Sequence, residues 1–212
     1  RDLFIRTFSG AKISILVAVV SVSISISIGL ILGLISGYSS KTIDSILMRF
    51  VDLMMAIPTI FLILTIQVIL TPSIWNVMIV IGLTSWMGVT RIVRAEVLSI
   101  REQLFITAAK ARGISNTKLL FKHILPHTLP PVIVAATLGM GSAILTESVL
   151  SFLGLGVQPP NASWGNMLDN SLGYMRDSPW MAIVPGTFIT LTVLALNILG
   201  DDCRAKFNPK ET

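Results

Sequence analysis

Charge is what this sequence has least of. Only 13% of its 212 residues are Asp, Glu, Lys or Arg, about half the roughly 25% of soluble domains. Cysteine is nearly absent: a lone Cys203 excludes an internal disulfide framework and any cysteine-based zinc site. No Gly-x-x-x-x-Gly-Lys-Ser/Thr run occurs, so the chain has no P-loop of its own. His123 and His127 are four apart, but Pro126 lies between them and no His-Glu-x-x-His pattern is present. No paired carboxylates, Ser/His/Asp set or activated cysteine stands out, and neither a metal nor a cofactor site is expected in the chain. The basic stretches lack the interleaved aromatics of a nucleic-acid surface.

What is present is apolar. Hydrophobic residues make up 53% of the chain and the mean hydropathy is +0.81, more than a soluble core of this length needs. The expected class is an all-α integral membrane protein. Five stretches approach the roughly 17–25 residues of a spanning helix: 13–37, 53–70, 74–90, 129–153 and 180–199. Between residues 21 and 28 serine alternates with Val or Ile, which imitates a strand of period two. A helix is expected nonetheless, because a single strand cannot satisfy its backbone in lipid. The small residues there, Gly29, Gly33 and Gly37 among them, predict close approach by a neighbouring helix. Pro58 predicts a kink in the second span.

Five spans put the termini on opposite sides, and the basic residues choose the orientation. One set of connections holds 12 Lys/Arg and the other four (Arg1, Arg6, Lys12 and Arg176). The positive-inside rule then places segment 1–12 outside, with connection 91–127 and tail 201–212 in the cytoplasm. Asp52, at the inner end of the second span, is expected to pair with Arg49 in a structural role.

Connection 91–127 is too long and too regular for a simple linker. Val97, Ile100, Leu104, Ala108 and Ala111 recur at helical spacing, Gly113 breaks the helix, and Ser115 or Asn116 caps a second, shorter one ending near Pro126. By periodicity alone this is a basic amphipathic helix lying on anionic headgroups. Connection 154–179 combines the Pro159-Pro160 turn with an apolar stripe of Trp164, Met167, Leu168, Leu172 and Met175. Trp164, Tyr174 and Trp180 suit a water–lipid boundary, which makes an interfacial anchor one reading of this connection. Asn161-Ala162-Ser163 is formally a glycosylation sequon.

Glu147 lies within the fourth span, about 9 Å outward of its middle. A buried acid at that depth costs energy unless partnered. Two roles stay open: it faces the translocation route or a partner permease, or it bonds between helices and holds the bundle.

Two stretches carry a family resemblance. Thr107-Ala108-Ala109-Lys110-Ala111-Arg112-Gly113, nine residues, then His123-Ile124-Leu125-Pro126 resembles the EAA loop of ABC importer permeases. Ala108, Ala109, Gly113, Leu125 and Pro126 match at the family's spacing, while Thr107 stands for its glutamate and His123 for its isoleucine. Glu147 to Pro160, followed by Ser163-Trp164-Gly165-Asn166-Met167-Leu168, is similar to the dipeptide/oligopeptide/nickel branch, closest to its second permease subunit. Arg1-Asp2, residues 10–14, Pro179-Trp180 and Pro185-Gly186 extend that likeness over nearly the whole chain. The extra N-terminal span common in that subunit type is missing, and with the Arg1 start this leads us to expect truncation upstream.

The resemblance implies a five-span type I importer permease core in a prokaryotic cell membrane. Residues 107–113 with Leu125 and Pro126 become the coupling helix for two cytoplasmic ABC ATPases, which hold the ATP and magnesium. A second permease completes a heterodimer, and an extracytoplasmic solute-binding protein meets an outer loop that folds back toward the pathway, around Gln158, Pro159, Pro160, Trp164 and Met167. The implied solute is a di- or oligopeptide, with nickel chelates as the alternative within the branch. A rival of another class is a membrane-embedded hydrolase using Glu147 and a histidine.

Overall fold

The computed structural model describes residues 3–207. Arg1 and Asp2 of the N-terminal likeness, Lys210 of the charge count and residues 208–212 of the tail lie outside them. The first helix, α1 (Leu3–Tyr38), runs unbroken for 36 residues, about 54 Å at 1.5 Å per residue. It begins well upstream of residue 13, so its first turns include most of what was expected as a separate segment 1–12. The serine alternation is helical. Ser23 and Ser27 donate to the carbonyls of Val19 and Ser23, both at 2.7 Å, four residues back as only a helix allows.

The glycine stripe decides the architecture. A Cβ placed on Gly29, Gly33 or Gly37 would come within 2.6–2.7 Å of the Cβ of Val89, Val93 or Val97 on α4 (Ile74–Arg101). Only bare backbone fits there, which is how small residues let membrane helices pack without a hydrophobic drive between them. Residue numbers rise together along both helices, so α1 and α4 run parallel. The chain leaves α1 at Tyr38 and must return to the opposite end of the bundle to start α4 at Ile74. It does so through α2 (Lys41–Ala56) and α3 (Thr59–Ile69), which meet at a 77° bend. The expected single second span is thus a broken one. Pro58 lacks the N–H a continuous helix needs, and its carbonyl instead accepts from Phe61 and Leu62 as α3 starts.

Two expected helix limits in connection 91–127 are corrected. The one helix expected through Val97, Ile100, Leu104, Ala108 and Ala111 is split between two: α4 continues to Arg101, the chain breaks at Glu102-Gln103, and α5 (Leu104–Ala111) follows. Nor does a short second helix end near Pro126. From Ser115 the chain passes through α6 (Asn116–Leu119), a π-helical turn (Leu120–Ile124) and α7 (Leu125–Phe152) as one helical run. Pro126 falls at the first positions of α7, where its missing N–H costs least, and the Leu125 N–H reaches back five residues to Leu120 O.

After α7 come α8 (Trp164–Ser171) and α9 (Trp180–Phe207). Helices α1, α4, α9 and the run 116–152 are each long and apolar enough to span, and the bent pair α2–α3 makes a fifth when it is counted as one broken span. The chain is a multi-pass membrane protein. Its interior forms two main clusters, one near the start of α1 around Val17, Met78, Ile144 and Trp164, the other at the opposite end around Val93, Val97, Ile106, Leu119 and Ile124.

Candidate functional site

The end of the bundle that carries the basic connection is built around α5. Ile106 and Ala109 point inward, into the cluster of Val97, Ile100, Leu119 and Ile124. Thr107, Ala108, Lys110, Ala111 and Arg112 are exposed, and so is Gly113, whose φ of +76° is a conformation that favours glycine. Gly113 lets the chain reverse at once, its N–H bonding Lys110 O at 2.9 Å and that of Ile114 bonding Ala109 O at 3.3 Å. Leu125 is half-buried and Pro126 exposed. The motif residues therefore divide: Ala109 is a seam that fixes α5 to the bundle, and Ala108, Lys110 and Ala111 form a free face.

Behind α5 lies an anchoring network that sequence patterns did not reveal. Arg94 on α4 grips Asp44 on α2 through two bonds, Nε to Oδ1 at 2.6 Å and Nη2 to Oδ2 at 2.7 Å. Ser36 Oγ donates to the same carboxylate, Arg101 Nη1 donates to Gly37 O at 3.1 Å, and Tyr38 Oη donates to Asn116 Oδ1 at 2.9 Å. Fifty residues separate Asp44 from Arg94, so no local spacing announces the pair. Asp52 pairs with Arg91 on α4 rather than with Arg49; the partner reaches it across helices, which an i, i−3 pattern cannot anticipate.

At the other end, Glu147 is completely buried. Its Oε1 accepts from Ser151 Oγ at 2.6 Å and its Oε2 from Ser14 Oγ on α1 at 3.4 Å. Ser14 Oγ also accepts from Trp164 N at 3.2 Å, and Ser151 Oγ from Val157 N at 3.0 Å. Ser163 caps α8 reciprocally with Asn166, and Asn166 Nδ2 ties down the carbonyls of Val157 and Asn161. The carboxylate thus joins α1, α7 and the turn into α8. Of the two roles left open for Glu147, this is the geometry of an interhelical tie.

Two residues expected on the outer loop surface are not there. Trp164 is 1% and Met167 4% exposed; Trp164 packs near Phe188 and its Nε1 donates to Thr7 O at 3.1 Å. A tryptophan with its N–H satisfied inside is core, not a boundary anchor. Close approach of Gly165 to Ser148, where an added Cβ would lie 2.6 Å from Cα, draws the start of α8 inward. Gln158, Pro159 and Pro160 do remain exposed.

The hydrolase reading fails on distance. His127 Nδ1 is engaged with His123 O at 2.7 Å at the start of α7, and Glu147 sits about 30 Å further along the same helix. No proton moves directly over that gap.

Residues 29–210 match the family described as "binding-protein-dependent transport system inner membrane component". The dipeptide transport system permease protein DppC of Alkalihalophilus pseudofirmus is 44% identical over 210 residues, covering 99% of this chain and 69% of that protein. The oligopeptide transport system permease protein OppC of Bacillus subtilis is 38% identical, again over 99% of this chain and 69% of its own length. Among solved structures, the inward-facing MetNI methionine ABC transporter superposes with a TM-score of 0.78 at 18% identity, covering 96% of this chain and 95% of that one. An amino acid ABC transporter with histidines gives 0.68 at 17%, covering 92% and 91%; at such identities these two speak for the fold alone. The match over 29–210, with relatives this similar along nearly the whole chain, places the protein in the family of binding-protein-dependent transport system inner membrane components.

Proposed function

We propose that this chain is one membrane subunit of an ATP-driven importer of di- and oligopeptides, forming half of the translocation pathway beside a second, non-identical permease. The relatives named for dipeptide and oligopeptide transport support the substrate class. Two ATPases bind and hydrolyse ATP with magnesium on the cytoplasmic side; this subunit does no chemistry itself. With the basic end inside, by the positive-inside rule, segment 1–12 and Gln158-Pro159-Pro160 face the extracytoplasmic binding protein.

The observation that carries the coupling role is the division of α5. Ala109 and Ile106 lock it onto the run of helix entering α7, while small Ala108 and Ala111 leave the opposite face open to close docking. A helix held rigidly on one side and bare on the other transmits a push rather than absorbing it. The test is to replace Ala108 or Ala111 by Trp in the full complex and to measure co-purification of the ATPases. Loss of the ATPases with an intact permease pair is expected. Retained ATPases and retained peptide-stimulated ATP turnover in both variants would overturn the assignment. Ala109 is unsuitable for this test, because a bulky side chain there disturbs the permease's own core.

A further inference from the structure

Between α4 and α7, with α1 as its floor, lies an intramembrane groove of about 340 Å³. No charged side chain lines it. Ser85 and Gly88 of α4 and Ser142 of α7 stand exposed on it, Thr146 and Gly139 border it, and Ser25 lies at its floor. The hydroxyls of Ser85, Ser142 and Thr146 each donate to the carbonyl four residues back, at 2.7, 3.3 and 2.9 Å. What they present to the groove is therefore acceptor lone pairs. Ser25 is only 5% exposed, and its hydroxyl has no hydrogen-bond partner among the described residues. A hydroxyl on a largely buried residue that lines the groove, left without a partner in the chain, takes one from the groove.

Three occupants compete for this space, and chemistry separates them. Lipid tails offer no hydrogen bond at all. A helix of the second permease has its backbone N–H groups already bonded within itself. An extended peptide arrives with its backbone N–H and C=O groups free, and within the bilayer it must find acceptors and donors for them. The lining residues extend from 81 to 92 on α4 and from 135 to 146 on α7, about 16 Å of helix, the length of four to five extended residues.

We infer that this groove is the surface along which the transported peptide passes the membrane, recognised through its backbone amides by Ser25, Ser85, Ser142 and Thr146. The inference rests on the reading of the chain as a peptide permease and adds to it a location and a mode of contact. Because the lining is uncharged and contacts the main chain, passage is indifferent to side-chain sequence, and discrimination must occur before the peptide enters the membrane.

Gly88 supplies the test. A Cβ there meets nothing within 4 Å, and leucine is a better helix former than glycine, so Gly88→Leu fills the groove without disturbing the chain's own packing. Gly186 on α9 also has open space around it and lies outside the groove, so Gly186→Leu is the control. The complete complex with its binding protein is reconstituted in vesicles, and ATP-dependent uptake of radiolabelled alanyl-alanine is measured. Gly88→Leu should lower uptake about tenfold or more with the ATPases still bound, and Gly186→Leu should not. Uptake within about twofold of the unsubstituted complex in Gly88→Leu overturns the assignment. In a Cys203→Ser background, Ser85→Cys and Ser142→Cys should react with a water-soluble thiol reagent and be protected by the dipeptide during turnover. Absence of reaction at both positions means that lipid or the second permease seals the groove, and overturns it as well. An unsubstituted complex that takes up no dipeptide overturns the peptide reading itself and this location with it, and is told apart because in the other failures that complex is active.

Discussion

The two ends of the bundle handle polarity in opposite ways. At the Glu147 end the polar groups around the carboxylate turn inward: the carboxylate, three serine hydroxyls, an asparagine amide and an indole N–H bond to one another or to backbone, and the covering turn presses glycine against glycine-sized gaps. At the basic end the charges sit at or near the surface, the Arg94–Asp44 side chains 31% and 19% exposed and the Arg91–Asp52 pair 47% and 59%. One end is finished by its own chain. The other is anchored behind α5 and left bare in front of it. Interactions sealed from water are costly to lose, whereas exposed ones are replaced by solvent, so the ends should respond very differently to comparable substitutions.

The largest effect is expected at Gly165. A β-carbon there lies 2.6 Å from Ser148 Cα and 2.8 Å from its carbonyl oxygen, and backbone cannot step aside as a side chain can. Gly165→Val should cost about 3 kcal/mol, read as an early unfolding transition in detergent followed by tryptophan fluorescence, with Trp164 losing its enclosed surroundings. A transition unchanged from the unsubstituted protein would mean that the start of α8 is not held as described.

Ser151→Ala comes next. The hydroxyl donates to Glu147 and accepts from Val157 N, so its removal strands both inside the protein, at about 2 kcal/mol. The comparison breaks if this variant is less destabilised than any ion-pair variant at the basic end.

How far the two ends could be read in advance differs in the same way. The spans were legible because lipid imposes length and composition on every crossing helix. Glu147 stood out because an acid is rare at that depth. Its partners did not, since Ser14 lies 133 residues away and serines are common in the first span. Trp164 was misread because an aromatic residue between spans looks interfacial until folding buries it. At the basic end the Ala-Ala and Gly113 spacing marked α5, but not which alanine faces inward; that depends on the break at Glu102-Gln103, which no Pro or Gly signals. The run of α4 past Thr90 was hidden because arginines at its end resemble the start of a new amphipathic helix. Pro126 looked like a stop because the π-helical turn that absorbs it has no sequence signature of its own.

Asp44→Asn should be milder, about 1 kcal/mol. The amide keeps an oxygen acceptor for Arg94 but gives up the charge and one of the two bonds. The check is its unfolding temperature in detergent beside that of Ser151→Ala. A loss as large as that variant's would mean that the Arg94–Asp44 pair is sealed from water.

The smallest effect is expected at Arg91. Its contact with Asp52 is as short as the better-buried pair and links α4 to α2, so distance alone would rank the two together. Exposure separates them, for roughly half of each partner faces water, where ions lose little by parting and the long arginine side chain regains its freedom. Arg91→Ala should shift stability by no more than about 0.5 kcal/mol, and 1 M salt should leave even less of it. Measured beside Arg94→Ala in one detergent and one buffer, the pair of variants separates the effect of burial from that of contact. Equal losses in the two would show that the basic end is sealed from water after all, as the Glu147 end is, and the contrast between the ends would then rest on α5 alone.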